Sequence, residues 1–129
     1  MIRVAGNVID DVILGSIEYA VEHLKVPLLM VLGHEHCGAV TAAVKGGEAH
    51  GHIHRIVEAI QPAVAQTLHL QGDPVENTIK THVALLVEHL KTSQPILANL
   101  VQEDKLTIVG AYYHLESGLV AALKVTKRD

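Results

Sequence analysis

The residues of this chain best suited to chemistry are a histidine and a cysteine three positions apart, His34 and Cys37. They lie in the sequence Gly-His-Glu-His-Cys-Gly at positions 33–38, which contains the only cysteine of the 129 residues. Imidazole nitrogen and thiolate sulfur are both good ligands for zinc. A catalytic zinc ion needs three protein ligands and one open position, so this pair predicts part of a metal site.

The position of this pair follows from the run that precedes it. Residues 26–32, Val-Pro-Leu-Leu-Met-Val-Leu, are continuously apolar, a pattern typical of a strand buried on both faces of a parallel sheet. Open α/β sheets bind their ligands at the carboxyl ends of strands. The sequence therefore predicts that His34 and Cys37 lie in the turn between this strand and a following helix.

The remaining elements alternate between helices and strands. Apolar spacing predicts a helix that Asp10 or Asp11 caps and that ends near Lys25, and further helices over 39–44, 52–70, 75–90 and 96–101, with Pro62 kinking or dividing the second of these. Short strands are predicted at 2–5, 106–113 and 118–125. This order predicts one α/β domain over 1–129, with a mostly parallel sheet, flanking helices and an antiparallel edge.

Composition narrows the classes of function. Hydrophobic residues make up 49% of the chain and charged residues only 19%, so we expect extra apolar surface to be buried in a homodimer or higher homo-oligomer. Phe and Trp are absent and Tyr numbers three, so aliphatic residues and Ala fill the core. The net charge of −4 and the lack of aromatic stacking platforms argue against nucleic acid as a partner.

Targeting signals give a second set of expectations. No apolar run reaches ~18 residues, so no membrane span is expected. The amino terminus lacks the layout of a signal peptide. A single cysteine cannot form an internal disulfide, which is typical of a reducing compartment, so we expect a cytoplasmic protein.

Ten histidines are the one unusual count. Four of them lie among polar neighbours in helical patterns and are expected at the surface: His23, His69, His82 and His89. Three others form a tract, His50, His52 and His54, that is either a metal-binding cluster or a structural lead-in to the next helix.

Four motifs, in order along the chain, resemble the β-class carbonic anhydrases. They are Ala-Gly-Asn at 5–7, Ser-Ile-Glu-Tyr-Ala-Val at 16–21, His-Glu-His-Cys-Gly-Ala-Val at 34–40 and Gly-Ala-Tyr-Tyr-His-Leu-Glu-Ser-Gly at 110–118. The resemblance implies a zinc cofactor and the reversible hydration of carbon dioxide to bicarbonate. That family binds zinc through Cys, His and Cys, the last two spaced as His-x-x-Cys, which correspond to His34 and Cys37.

The resemblance also implies a gap. The family's first zinc ligand lies in a Cys-x-Asp-Ser-Arg segment on a central strand before the Ala-Gly-Asn turn, whereas only Met1 to Val4 precede that turn here. The chain thus resembles the carboxyl-terminal two-thirds of the family, with one Cys ligand and the Asp-Arg pair missing. We expect impaired activity, and a sheet that lacks the central strand or rearranges by moving residues 1–5, or a second subunit, into its place.

Candidates for a third zinc ligand are His114, which stands where the family usually has Asp, and His36, the 50–54 tract or a partner subunit. His36 lies between the two ligands and is the weaker choice on geometry. The backbone N–H of Gly38, at a helix start, is a candidate anion-binding group for bicarbonate. Glu35 is either a solvated acid or a partner for a neighbouring His, and no catalytic role is assigned to it. Two rival functions remain: a non-catalytic metal-binding or oligomerising domain, and a metal-free anion-binding domain.

Overall fold

A computed structural model describes residues 1–123 of the protein. Five helices and three strands follow a short 3-10 turn at Ala5–Asn7. In chain order they are α1 (Asp11–Glu22), β1 (Leu28–His34), α2 (Gly38–Lys45), α3 (Ile53–Thr67), α4 (Pro74–Lys91), α5 (Leu97–Gln102), β2 (Thr107–Tyr113) and β3 (Val120–Leu123).

The sheet has the order β1-β2-β3. β1 and β2 run parallel, from the pair Leu28 and Thr107 to the pair His34 and Tyr113, and β3 adds antiparallel to β2. This arrangement confirms the predicted α/β class with an antiparallel edge. It leaves β1 as the other edge of the sheet in the described part of the chain.

The predicted strand at residues 2–5 is wrong. The backbone is extended at Val4 (φ −137°, ψ 158°), but the segment pairs with no strand and turns at Gly6 (φ 66°) and Asn7 (φ 53°). An alternating run of four residues does not make a strand without a partner to satisfy its backbone groups. Residues 1–5 therefore do not move into the sheet, and among the described residues no strand takes the place of the central strand. The expectation that a second subunit fills that place stays a prediction.

The boundaries of other elements differ from the predicted ones by only a few residues. The strand that was expected to end at Leu32 continues to His34, because Gly33 and His34 pair with Tyr112 and Tyr113. Pro62 lies inside α3 without dividing it. Residues 124 and 125 of the last predicted strand lie outside the described residues.

Helix α4 covers one face of the sheet at very short distance. A Cβ atom added to Gly33 would lie 2.8 Å from Val83 Cγ2, and one added to Gly110 would lie 2.8 Å from Val83 Cγ1. Glycine in both strands lets the α4 backbone approach, since any side chain there would clash. The contact places the end of β1 against the most buried part of the core, which includes Val83 and Val87.

His82 contradicts the expectation that it lies at the surface. Its side chain is only 6% exposed, and its Nε2 lies 2.6 Å from the carbonyl oxygen of Gly6. Burial removes solvation from the charged ring and lowers the pKa of His82, and the hydrogen bond to Gly6 opposes this in part. His82 is therefore a neutral internal group that ties α4 to the turn at residues 5–7.

The N-cap of α1, which the sequence predicts at Asp10 or Asp11, can be tested by mutation. Asp10 is the N-cap, and its Oδ1 accepts a hydrogen bond of 2.9 Å from Ile13 N. We expect Asp10→Ala to lower the free energy of unfolding by ~1 kcal/mol, because the first turn of α1 loses its acceptor. Urea denaturation measures this, with Asp10→Asn as the control that retains a capping oxygen; equal losses in both variants would contradict the capping role.

Candidate functional site

The candidate site lies at the carboxyl end of β1. His34 is the last residue of the strand, and Glu35 N–H extends the pairing with a 3.0 Å hydrogen bond to Tyr113 O. His36 then adopts a positive φ of 56°, and Cys37 is the N-cap of α2. The predicted strand–turn–helix is thus confirmed, and the reversal is made at His36 rather than at a glycine.

His34 is exposed, and its Nδ1 lies 2.9 Å from the carbonyl oxygen of Glu35. In the tautomer that carries its proton on Nδ1, the ring donates to this carbonyl and the Nε2 lone pair stays available. This is the arrangement in which metal-binding histidines are usually held, since a second hydrogen bond fixes the tautomer and the ring orientation. The local geometry suits His34 to act as a ligand through Nε2.

Cys37 is nearly buried, with 7% of its surface exposed, and packs with Val40 and Ile79 in one of the two core clusters. Its carbonyl oxygen accepts hydrogen bonds from Thr41 N at 2.9 Å and Thr41 Oγ1 at 2.8 Å, which fixes the first turn of α2. The thiol is free. Its position is therefore set by the core and by the helix, not by a surface loop.

His34, Cys37 and Gly38 line a single large groove with a volume of about 1370 Å³. Residues 1–9 and α1 form its other wall. The two predicted metal ligands thus border the same groove. Gly38 is exposed, and a Cβ atom there would meet no atom within 4 Å. Lack of space for a side chain is therefore not the reason for glycine at this position.

His114 and Glu35 form the second group of titratable residues at this end of the sheet. His114 Nδ1 lies 3.8 Å from Glu35 Oε1, which is an ion pair only when the ring is protonated. The His114 ring meets the Tyr112 ring edge-on at 5.0 Å. Burial, reinforced by the nearby carboxylates of Glu76, Glu35 and Asp73, raises the pKa of Tyr112, so its phenol stays protonated. Glu35 thus lies next to a His, as one of its two expected roles requires, although the 3.8 Å separation is too long for a direct hydrogen bond.

A third metal ligand is not assembled with His34 and Cys37. Among residues 1–123, no three His, Cys, Asp or Glu side chains are grouped so that they could hold a metal ion. His36 is exposed on the turn, and His114 is held beside Glu35. In the 50–54 tract, His54 Nε2 lies 3.2 Å from Glu58 Oε2, one helical turn along, and the two form an ion pair only when the ring is protonated. The donor set present is therefore incomplete for a catalytic zinc ion.

Asn7 connects the turn at residues 5–7, which borders the groove, to strand β1. Its Nδ2 donates a 2.9 Å hydrogen bond to the carbonyl oxygen of Leu32, the residue two positions before His34. Together with His82, which holds the carbonyl of Gly6, this bond fixes the turn at residues 5–7 against β1 and α4. Two residues of this turn, Gly6 and Asn7, have positive φ, a conformation that glycine and asparagine adopt more readily than other residues. The Ala-Gly-Asn motif therefore matches the backbone conformation of the turn.

Comparison with known proteins agrees with this fold. The carbonic anhydrase family model matches residues 1–120. A carbonic anhydrase of Mycolicibacterium smegmatis is 39% identical over 124 residues, which cover 93% of this chain and 60% of the relative. Among solved structures, the β-carbonic anhydrase CcaA superposes with a TM-score of 0.81 at 26% identity, covering 95% of this chain and 66% of that one.

A tetrameric β-carbonic anhydrase of Sordaria macrospora superposes with a TM-score of 0.84 over 96% of this chain and 67% of its own; at 22% identity, it supports the fold alone. These findings define an α/β protein of the carbonic anhydrase fold. The chain belongs to the β-class carbonic anhydrase family. It spans about 60% of the length of the curated relative from Mycolicibacterium.

Proposed function

We propose that this chain carries part of the zinc site of a β-carbonic anhydrase, with His34 and Cys37 as ligands and carbon dioxide and bicarbonate as substrates. The observation that carries the proposal is that both side chains line one groove at the end of β1, on a chain that belongs to this family. The hydrogen bond from His34 Nδ1 to Glu35 O supports coordination through Nε2.

Two donors do not complete a catalytic site, so we propose that catalysis by this chain alone is impaired. Zinc with three protein ligands lowers the pKa of its bound water toward neutrality, as is known for carbonic anhydrases, and so supplies a hydroxide. The third donor is proposed to be His114 or His36 after a change in side-chain position, or a residue of another chain. The exposed N–H end of α2 at Gly38 is the proposed contact for bicarbonate.

A homo-oligomer is part of the same proposal. One face of the sheet presents apolar side chains to solvent, among them Met30 (47% exposed) and Leu32 (40% exposed). Exposed apolar patches of this kind mark interaction surfaces. The neighbour from Sordaria is described as tetrameric. A non-catalytic oligomerising or metal-binding role is the alternative function, and the incomplete donor set favours it.

No helix among residues 1–123 is long and apolar enough to cross a membrane. We place the protein in the cytoplasm in this proposal because its one cysteine is a free thiol, which suits a reducing compartment.

The first test is the zinc content of the purified chain, measured by elemental analysis beside Cys37→Ser and His34→Gln. We expect zinc in the unmodified protein and its loss in both variants, because each removes one of two donors. His69→Gln is the matched control, since it removes an exposed imidazole far along the chain and is expected to retain zinc. His114→Gln and His36→Gln then identify the third donor by which of them loses zinc.

Carbon dioxide hydration, followed by stopped flow with a pH indicator, separates the two functions. Zinc that depends on Cys37 together with measurable hydration supports the enzyme. Zinc without hydration supports the non-catalytic alternative. If the unmodified chain and Cys37→Ser hold equal zinc or none, the assignment of His34 and Cys37 as ligands is wrong.

A further inference from the structure

The turn at residues 5–7 contacts the end of β1, where the first proposed zinc ligand lies. Asn7 Nδ2 donates its 2.9 Å hydrogen bond to the carbonyl oxygen of Leu32, and His34 follows two residues later on the same strand. The bond joins residues 25 positions apart, so it fixes a tertiary position rather than a local conformation. The backbone just before His34 is therefore anchored to this turn.

The same turn also packs against the start of α2, where the second proposed ligand lies. A Cβ atom added to Gly6 would lie 3.3 Å from Ala39 Cβ and 2.9 Å from Ile60 Cδ1, so the backbone here fits closely between α2 and α3. Ala39 follows Cys37 by two residues, in the first turn of α2. The turn is thus in contact with the strand that ends in His34 and with the helix that Cys37 caps.

His82 holds this turn from the core. Its Nε2 lies 2.6 Å from the carbonyl oxygen of Gly6, which is 76 positions away in the sequence, and the residue is only 6% exposed. A carbonyl oxygen can only accept a hydrogen bond, so Nε2 carries the proton and donates it. Without this donor the partly buried carbonyl of Gly6 would lose its partner, which favours a shift of the turn towards another donor.

Helix α4 supports β1 directly from the side that carries His82. Ile79 and Val83 lie on the same side of α4 as His82, since residues three or four apart are neighbours on a helix. A Cβ atom added to Gly33 would lie 2.9 Å from Ile79 Cγ2 and 2.8 Å from Val83 Cγ2. One buried helix therefore fixes the end of β1 by direct packing and the turn at residues 5–7 through the side chain of His82.

We propose that His82 is a positioning residue for the two proposed zinc ligands, His34 and Cys37. Its hydrogen bond to Gly6 fixes the turn, and the turn sets the spacing between the end of β1 and the start of α2. This role rests on the proposed function, in which the two side chains bind zinc, and His82 acts on them without being a ligand itself. Removing groups that orient metal ligands typically lowers metal affinity by about 10- to 100-fold.

Cobalt(II) binding to the full chain tests the proposal, because cobalt(II) can take the place of zinc and gives a charge-transfer band with a thiolate ligand. We expect His82→Leu, which removes the donor, to weaken cobalt binding roughly tenfold and to reduce this band. His82→Gln places an amide nitrogen near the position of Nε2 and is expected to bind cobalt within about twofold of the unmodified protein. Thr78→Val is the matched control, since it removes a buried hydrogen bond from α4 to Thr67 rather than to the turn, and it is expected to leave cobalt affinity unchanged.

A second measurement needs no metal. In the metal-free chain, the nitrogen-15 chemical shifts of His34 report which ring nitrogen carries the proton, and the contact of Nδ1 with the Glu35 carbonyl favours the Nδ1 tautomer. We expect this tautomer in the unmodified protein and in His82→Gln, and a mixture of tautomers in His82→Leu. Asn7→Gly removes the other hydrogen bond of the turn but tolerates the positive φ, so it is expected to act as His82→Leu does. Because both act through one turn, the effects of the two variants should not be additive.

Several results would overturn the proposal. Equal cobalt affinity in His82→Leu and the unmodified protein, with the Nδ1 tautomer of His34 retained, would mean that His82 only stabilises the fold. A loss of cobalt in Thr78→Val as large as in His82→Leu would show that affinity follows overall stability. Absence of cobalt from the unmodified chain would contradict the proposed zinc function, and the His34 tautomer in the metal-free chain would still decide the role of His82. If His82→Leu does not fold, His82→Asn replaces it, because its shorter side chain does not reach the carbonyl of Gly6.

Discussion

Gly33→Ala is expected to lower the free energy of unfolding by about 1–3 kcal/mol, which is the usual effect of overpacking a close-packed core. The new Cβ would lie 2.8 Å from Val83 Cγ2 and 2.9 Å from Ile79 Cγ2. Both neighbours are β-branched residues of a buried helix, so they have little rotamer freedom with which to move aside. Urea denaturation followed by circular dichroism measures the change. Because Gly33 immediately precedes His34, the same variant is expected to lose zinc if zinc is bound.

Two variants control for this result. Gly15→Ala places a methyl group in the interior of α1, where no atom lies within 4 Å, and is expected to raise stability by roughly 0.5–1 kcal/mol through helix propensity. Val83→Ala in the Gly33→Ala background removes one of the two clashing methyl groups, so the double variant should lose less than the sum of the two single losses. Additive losses would show that the 2.8 Å approach is relieved in some other way.

Below pH 6.5, the stability of the protein is expected to fall because His82 is buried in its neutral form. The pKa of His82 is lowered in the folded state, so the unfolded chain binds a proton that the folded chain resists. The contribution is fully present above the unfolded pKa of about 6.5 and is lost as the pH falls through the folded pKa. The slope for this one group is at most ~1.4 kcal/mol per pH unit.

His82→Gln isolates this effect, since glutamine can still donate to the Gly6 carbonyl but does not titrate in this range. We expect the free energy of unfolding of the unmodified protein to decline more steeply with falling pH than that of His82→Gln, measured by urea denaturation between pH 7.5 and 5. His69→Gln controls for the loss of an exposed imidazole. Parallel pH profiles for the unmodified protein and His82→Gln would contradict the internal, neutral state of His82.

Periodicity predicted the long elements well. The helices α1, α3 and α4 and the strands β1 and β2 lie within a few residues of their expected positions, because each carries a continuous apolar stripe or run. The N-cap at Asp10 was among the two expected residues. The position of His34 and Cys37 around the end of β1 also followed from the sequence, since an apolar strand followed by a turn and a helix permits few other arrangements. The expected burial of β1 on both faces was wrong, because Leu28, Met30 and Leu32 are exposed on one face.

The two clearest errors have different causes. Residues 2–5 alternate like a strand, but no strand in the described sheet is available to pair with them. His82 was expected at the surface from its polar neighbours, although it lies three residues after Ile79 on the apolar side of α4; that spacing was the available signal for burial. For residues 2–5 the lack of a partner strand decided the outcome, whereas for His82 the helical spacing already pointed to the buried side of α4.

The sequence by itself determined the α/β class, the family and the two ligand candidates, because these depend on local periodicity and on motifs a few residues long. Within residues 1–123, tertiary structure alone decided that Asn7 and His82 fasten the first turn and that no third donor joins His34 and Cys37. Each of these depends on groups far apart in the chain, such as Gly6 and His82. The distance between Gly6 and His82 is set by how α4 packs on the sheet, and no pattern of neighbouring residues encodes that packing.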